Sequence, residues 1–61
     1  MEIQINQIVK GQFAGTFIVL GFRNDIGNET YAQLKEVNPN NYSQVSPGEL
    51  SLPLSRLKSI N

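Results

Sequence analysis

Polar and apolar residues alternate in several short stretches of the chain, and this period of two is typical of half-buried β-strands. The first stretch, Glu2–Asn6, alternates strictly. Ile8 and Val9 then break the phase, which predicts a bulge or a bend. Lys10–Gln12 follows and is interpreted as a connector. A first strand over residues 2–6 is therefore expected.

The strongest strand signal is Thr16–Arg23, because β-branched and aromatic side chains suit a pleated, half-buried surface. Asn24–Asn28 is rich in residues that tolerate turns, and Glu29–Val37 has the pattern of a returning strand. These segments predict a β-hairpin with a five-residue loop. Ala32 and Leu34 are expected to face the core, and the opposite face carries Tyr31, Gln33 and Lys35.

The second half of the chain begins with a polar segment, Asn38–Pro47, which has a proline near each end. Proline and asparagine argue against a central strand, so this segment is predicted to be an irregular loop. Gly48–Leu54 is predicted to be a strand, with Leu50 and Leu52 on one face. Ser55–Lys58 fits a single 3-10 turn, and Ser59–Ile60 fits a short last strand.

About five short strands and one 3-10 turn near the C-terminus predict an all-β fold, a small barrel formed by a single domain over residues 1–61. Gly15 and Gly21 lie where such a barrel has to bend. No segment of the chain has a convincing helical period.

Composition narrows the chemistry that is available. The 61 residues include no cysteine and no histidine, and the formal net charge is zero. A disulfide framework, a zinc, copper or iron site, and a serine activated by histidine are all unexpected, so we expect no enzyme activity and no cofactor. Oligomerisation is the remaining way to stabilise so small a domain. No apolar run is long enough to span a membrane, and a cytoplasmic location is expected.

Two segments carry a resemblance to a known family. Phe13–Phe22 is similar to an aromatic, glycine-containing strand of the plasmid-borne type II dihydrofolate reductases, and Leu50–Asn61 is similar to their last strand, 3-10 turn and Ile-Asn ending. The resemblance implies an SH3-like barrel, self-association and an origin on a mobile genetic element. The family's Val-Gln-Ile-Tyr pore motif is replaced here by Glu49–Leu52, so its activity and its cofactor are not expected to carry over.

A second resemblance is shorter. Lys10–Gly15 is similar to the opening of KOW-type modules, which commonly bind RNA or ribosome-associated proteins. In that interpretation, a basic and aromatic strip would stack on and neutralise single-stranded nucleic acid. The five acidic residues balance the five basic ones, which favours an ordinary mixed-charge surface instead. The candidate nucleic-acid residues are Lys10, Arg23, Lys35 and Tyr31.

Tyr42 is an isolated aromatic residue in the predicted polar loop. An aromatic ring with a polar tip is a common interface residue, and long loops often carry binding function. The alternative is that Tyr42 and Val45 fold back and cap the barrel. The predicted partner-binding residues are Tyr42, Asn40, Asn41, Gln44, Val45 and Tyr31.

The three phenylalanines, Phe13, Phe17 and Phe22, are too many for one small core, so at least one should be exposed. The leading functional hypothesis is a non-enzymatic interaction module that binds a protein partner or a second copy of itself. The first alternative is a KOW-like nucleic-acid-binding module. The second is a relative of the type II reductases with altered ligand binding in the pore of an oligomer.

Overall fold

Five antiparallel strands form one sheet in the computed structural model, which describes residues 3–24, 27 and 29–60. The strand order is β4-β3-β2-β1-β5. Within the described residues, a single 3-10 turn is the only helical element. The predicted all-β class, the five strands and the 3-10 turn near the C-terminus are confirmed. The elements are β1 (Ile8–Gly11), β2 (Thr16–Asn24), β3 (Thr30–Asn38), β4 (Asn41–Pro53), the 3-10 turn (Leu54–Arg56) and β5 (Leu57–Ser59).

The sheet is open. Strand β4 pairs only with β3, and β5 pairs only with β1, so the two outermost strands do not meet through hydrogen bonds. Two strand edges therefore lie at the ends of the sheet. The edge of β4 is the longer one, since that strand has 13 residues and β5 has three.

The predicted hairpin of β2 and β3 is confirmed. Ala32 and Leu34 are completely buried, as their alternation with polar neighbours predicts. Val19 lies opposite Leu34 across the two strands. At the turn end of the hairpin, the Thr30 hydroxyl donates a hydrogen bond to Asn24 Oδ1 at 2.9 Å. Most of the predicted turn over residues 24–28 lies outside the described residues.

The core is small. Its large side chains with almost no exposed surface are Val9, Val19 and Leu34. Ile3, Leu52 and Leu54 pack against this cluster while remaining partly exposed. So few buried apolar groups leave a domain of this length marginal. The buried cluster consists of Val9, Phe17, Val19, Ala32, Leu34 and Leu57.

The N-terminal prediction is wrong. The described part of Glu2–Asn6 forms a turn and no strand, since Asn6 has a φ of 70°. The Asn6 N–H donates to the Val19 carbonyl at 2.7 Å. Asparagine tolerates this left-handed conformation because its short polar side chain bonds locally. The chain bends at this turn and not at Ile8–Val9, which are regular residues of β1.

The boundaries around β1 and β5 also differ from the prediction. Lys10 belongs to β1, not to a connector, and it lies opposite Thr16 and Lys58. Lys58 belongs to β5, not to the 3-10 turn, which ends at Arg56. The reason is the pairing of β1 with β5, which extends both strands and which local sequence does not encode.

The prediction of an irregular loop over Asn38–Pro47 is wrong as well. Strands β3 and β4 continue through this segment as a hairpin whose tip is Pro39–Asn40. Val37 lies opposite Val45, and the register shifts between this pair and the pair of Lys35 and Glu49. β4 has more residues than β3 across that shift, and the extra residues include Pro47. An edge strand accommodates a proline at a position whose backbone nitrogen faces away from the sheet, because no hydrogen bond of the ladder is lost there.

No helix in the described part of the chain is long and apolar enough to cross a membrane.

Candidate functional site

The end of the β3–β4 hairpin, residues 38–47, is called the hairpin arm below. Its asparagines order the arm through local hydrogen bonds. The Asn40 N–H donates to Asn38 Oδ1 at 2.8 Å, and the Asn38 side chain donates to Gln44 Oε1 at 2.8 Å. The Asn41 Oδ1 accepts from the N–H and the hydroxyl of Ser43 at 3.2 and 2.6 Å. The predicted contact residues Asn40, Asn41 and Gln44 therefore stand on a preordered hairpin.

Strand β4 is exposed along almost its whole length. Residues 41–51 are all exposed, and the strand carries one formal charge, on Glu49. Natural proteins usually protect such an edge with charges, prolines or bulges, because its free N–H and C=O groups invite another strand. Here the protection is limited to Glu49, the prolines Pro47 and Pro53, and the shift of register beside Pro47.

Leu50 marks the place where the apolar face of the sheet reaches this edge. It lies opposite Leu34, which in turn lies opposite Val19, so the three side chains form a row across β4, β3 and β2. Val19 on β2 and Leu34 on β3 are completely buried, whereas Leu50 on β4 is 36% exposed. The apolar row therefore ends uncovered.

A shallow, open hollow of about 570 Å³ lies along the hairpin arm. Val37 and Val45 lie opposite each other in its lining, and Val45 is exposed while Val37 is buried. The rest of the lining is polar or proline. Neither Val45 nor Tyr42 belongs to the buried core cluster, so the arm does not close over the core.

Tyr42 lines a second hollow, of about 370 Å³, between the hairpin arm and the edge formed by β1 and β5. Lys10 and Lys58 line it too, and they are directly opposed residues of those strands. Thr16 is the next residue of this row, opposite Lys10 on β2, and it is buried. The full lining is Lys10, Thr16, Pro39, Tyr42, Lys58, Ser59 and Ile60.

The candidate nucleic-acid residues are not gathered into one site. Arg23 and Tyr31 are cross-strand neighbours on β2 and β3. Lys35 is four residues further along β3, about 13 Å away along the strand, and it lies opposite the acidic Glu49. Lys10 lines the separate hollow beside the hairpin arm. The assignment of these four residues to nucleic acid remains a prediction.

Lys58 is one of the two basic residues, with Arg56, that the sequence interpretation left out. Its signal is alternation: Lys10 follows the buried Val9, and Lys58 follows the buried Leu57. Two lysines that each follow a core residue of a paired strand must share the outer face of the sheet. This inference requires the β1–β5 pairing, which joins residues 48 positions apart.

The prediction that at least one phenylalanine is exposed is confirmed. Phe17 is buried, Phe22 is 39% exposed and Phe13 is 86% exposed. Phe13 lies in the bend between β1 and β2, where the Gln12 N–H donates to the Arg56 carbonyl at 2.7 Å. That bond holds the bend against the 3-10 turn, so the ring of Phe13 stands out from an anchored loop.

Comparison of the chain with protein-family models, with curated proteins and with solved structures found no match.

Proposed function

We propose that this chain is a small SH3-like β module that acts by binding and not by catalysis, and that the uncovered edge of β4 receives a second copy of the chain. Five antiparallel strands with a 3-10 turn before the last one support the SH3-like arrangement. The observation that carries the functional proposal is the edge itself: 13 residues long, exposed and almost uncharged.

The outer edge of β4 offers unpaired backbone N–H and C=O groups, and the exposed part of Leu50 offers apolar surface. Among the described residues, no backbone hydrogen bond joins the outer side of β4 to another segment. A strand added there supplies partners for the free backbone groups and also covers the exposed part of Leu50. The small core makes this extra burial valuable, because short domains without disulfides or metals often depend on association.

Charge and proline positions favour a second copy as the occupant. In an antiparallel pair of β4 strands centred on Leu50, Leu50 faces its own equivalent, and Glu49 faces Ser51 of the second copy. Like charges are therefore not opposed. Pro47 faces Pro53 of the second copy, so prolines, which cannot donate, lie at both ends of the five-residue ladder. The arrangement is two-fold symmetric and closes as a dimer.

The other assignments stay with this proposal as predictions. The hairpin arm residues Tyr42, Asn40, Asn41, Gln44 and Val45, together with Tyr31 on β3, are the proposed contacts for a different protein partner. We propose that no reductase chemistry occurs, because leucines stand at two of the four positions of the family's pore motif. A cytoplasmic location and an origin on a mobile genetic element belong to the same proposal.

A charge reversal at Ser51 tests the register. Within one chain Ser51 is exposed and lies opposite the neutral Gln33, so either charge should be tolerated. In the proposed dimer, Ser51→Glu places two Glu–Glu pairs across the interface, whereas Ser51→Lys places two Lys–Glu pairs there. Opposed charges contribute about 0.2–1 kcal/mol per pair, which for two pairs is about a two- to thirty-fold change in the dimer dissociation constant.

The measurement is sedimentation equilibrium across a dilution series from about 10 μM to 1 mM, at low ionic strength. We expect wild-type protein to dimerise, Ser51→Glu to weaken the dimer and Ser51→Lys to strengthen it, with both differences shrinking in salt. Wild-type protein that stays monomeric throughout contradicts the second copy. Equal dissociation constants for the two variants contradict the register.

A further inference from the structure

We infer that the hollow between the hairpin arm and the β1–β5 edge binds a nucleoside phosphate, either as a free nucleotide or as a unit of a single-stranded oligonucleotide. This site, called the lysine pocket below, is defined by Lys10, Lys58, Tyr42, Thr16 and Ser59. Its only contribution from β4 is Tyr42, which lies outside the Pro47–Pro53 stretch of the proposed dimer, so the site goes beyond the proposed self-association and does not depend on it.

The two lysines point to an anion. Directly opposed residues of antiparallel strands have Cα atoms about 4.5–5.5 Å apart, and opposed like charges destabilise a sheet. Lys10 and Lys58 are such a pair, and both are exposed. Among residues 3–24, 27 and 29–60, no carboxylate forms an ion pair with either of them. A phosphate between the two ammonium groups would neutralise this repulsion and accept hydrogen bonds from both.

The remaining lining suits the rest of a nucleotide. Tyr42 is 43% exposed and presents an aromatic ring, and bases stack on such rings irrespective of sequence. Ile60 and Pro39 add apolar surface beside it. Thr16, which lies opposite Lys10 on β2, adds a hydroxyl-bearing side chain to the same lining. The volume of about 370 Å³ lies within the range of about 300–1,000 Å³ that small-molecule sites occupy.

The arm that carries Tyr42 is ordered before any ligand arrives. The hydrogen bond of Asn38 to Gln44 and the bonds of Asn41 to Ser43 fix the arm on both sides of its tip. A ring held on a preordered hairpin loses little conformational entropy when a base stacks on it. The pocket thus combines a fixed aromatic surface with two flexible cations.

The test is an NMR titration of isotope-labelled protein with AMP, with a single-stranded oligothymidylate and with inorganic phosphate as separate probes. We expect saturable shifts of the amide signals of Lys10, Thr16, Tyr42 and Ser59 with at least one of the first two probes. Lys58→Gln should weaken binding about tenfold, the usual effect of losing one charged hydrogen bond. Lys35→Gln is the matched control, because Lys35 does not line the pocket, and it should leave binding unchanged.

Lys58→Gln has a second expected signature that separates a binding role from a structural one. Removing one of two opposed lysines should raise the melting temperature of the free protein by about 1–8 °C. Lys35→Gln should lower it, since Lys35 lies opposite Glu49. Weaker binding together with a more stable fold means that Lys58 is kept for the ligand.

The outcomes are distinct. Binding of AMP and of the oligonucleotide with similar affinity identifies a nucleotide site, and binding of the oligonucleotide alone identifies single-stranded nucleic acid as the source. Inorganic phosphate that binds as tightly as AMP, with no effect of Tyr42→Leu on AMP binding, overturns the assignment. Shifts that never saturate, or equal binding by Lys58→Gln and wild-type protein, also overturn it.

Discussion

Replacing Gly15 with alanine is expected to unfold the domain. Gly15 has a φ of 96°, a conformation that costs an L-residue about 1–2 kcal/mol. A Cβ atom there would also lie 2.6 Å from Phe17 Cζ and 2.9 Å from Phe17 Cε2, and such overpacking costs about 1–3 kcal/mol. Phe17 is a buried core residue and cannot easily move away. The total approaches the 3–5 kcal/mol or so that a core of this size supplies.

Two other glycines separate the two contributions. Gly27 has a φ of 93°, but in the described part of the chain no atom beyond its sequence neighbours lies within 4 Å of the place that a Cβ atom would take, so Gly27→Ala tests the backbone cost alone. Gly48 has neither a positive φ nor a close neighbour, so Gly48→Ala should change stability little. Urea unfolding followed by circular dichroism should rank the variants Gly15, Gly27, Gly48 from most to least destabilised. Equal effects at Gly15 and Gly27 contradict the role of the Phe17 contact.

Replacing Leu34 with alanine is the second change with a large expected effect. Leu34 is completely buried at the centre of the sheet, between Val19 on β2 and Leu50 on β4. Removing a leucine side chain from such a site costs about 2–5 kcal/mol, because the cavity that remains is only partly refilled. We expect Leu34→Ala to be largely unfolded at room temperature in the same urea and circular dichroism measurement.

Leu20→Ala is its matched control. Leu20 is the extra residue of the β2 bulge, where the register shifts between Val19 and Gly21, and it is 38% exposed. The same substitution should cost about 1 kcal/mol or less there. Both variants are compared at one low protein concentration, because any dimer makes stability depend on concentration. A Leu34→Ala protein as stable as Leu20→Ala would mean that the core is not centred on Leu34.

Local sequence predicts the strands that have one buried, apolar face and one exposed, polar face. Thr16–Asn24 and Thr30–Asn38 form the predicted hairpin, because buried residues such as Ala32 and Leu34 alternate with polar ones. The 3-10 turn before the last strand was also predictable from its short polar stretch. In these segments, whether a residue is buried depends mainly on its neighbours in sequence and on the adjacent strand of the same hairpin.

The hairpin arm could not be predicted in the same way. Both sides of β4 from Asn41 to Pro47 are exposed, so this part of the strand has no alternation of burial to reveal it. Its prolines and asparagines are typical of loops, and they are tolerated because the strand lies at an edge. The opposite error occurred at residues 2–6, where a polar–apolar alternation is interrupted by the left-handed Asn6.

The lysine pocket depends on contacts between distant parts of the chain. Lys10 and Lys58 meet only because β5 returns to pair with β1, and Tyr42 reaches them only because the hairpin arm extends beside that edge. Sequence predicted Tyr42 and Lys10 as candidates for two different functions. Tertiary structure places both residues in the lining of one hollow.

The pairing of two β4 edges is tested most directly by single cysteines, because the natural chain has none. Opposed residues at the centre of an antiparallel pair have Cβ atoms about 4.5–5.5 Å apart, close enough for a disulfide after small adjustments. The measurement is the rate of disulfide-linked dimer formation by Leu50→Cys and by Phe13→Cys, at equal concentration under mild oxidation. Pairing through β4 predicts faster cross-linking at position 50, although Leu50 is 36% exposed and Phe13 86%. Faster cross-linking at position 13 would follow the exposure of the two residues and would contradict pairing through β4.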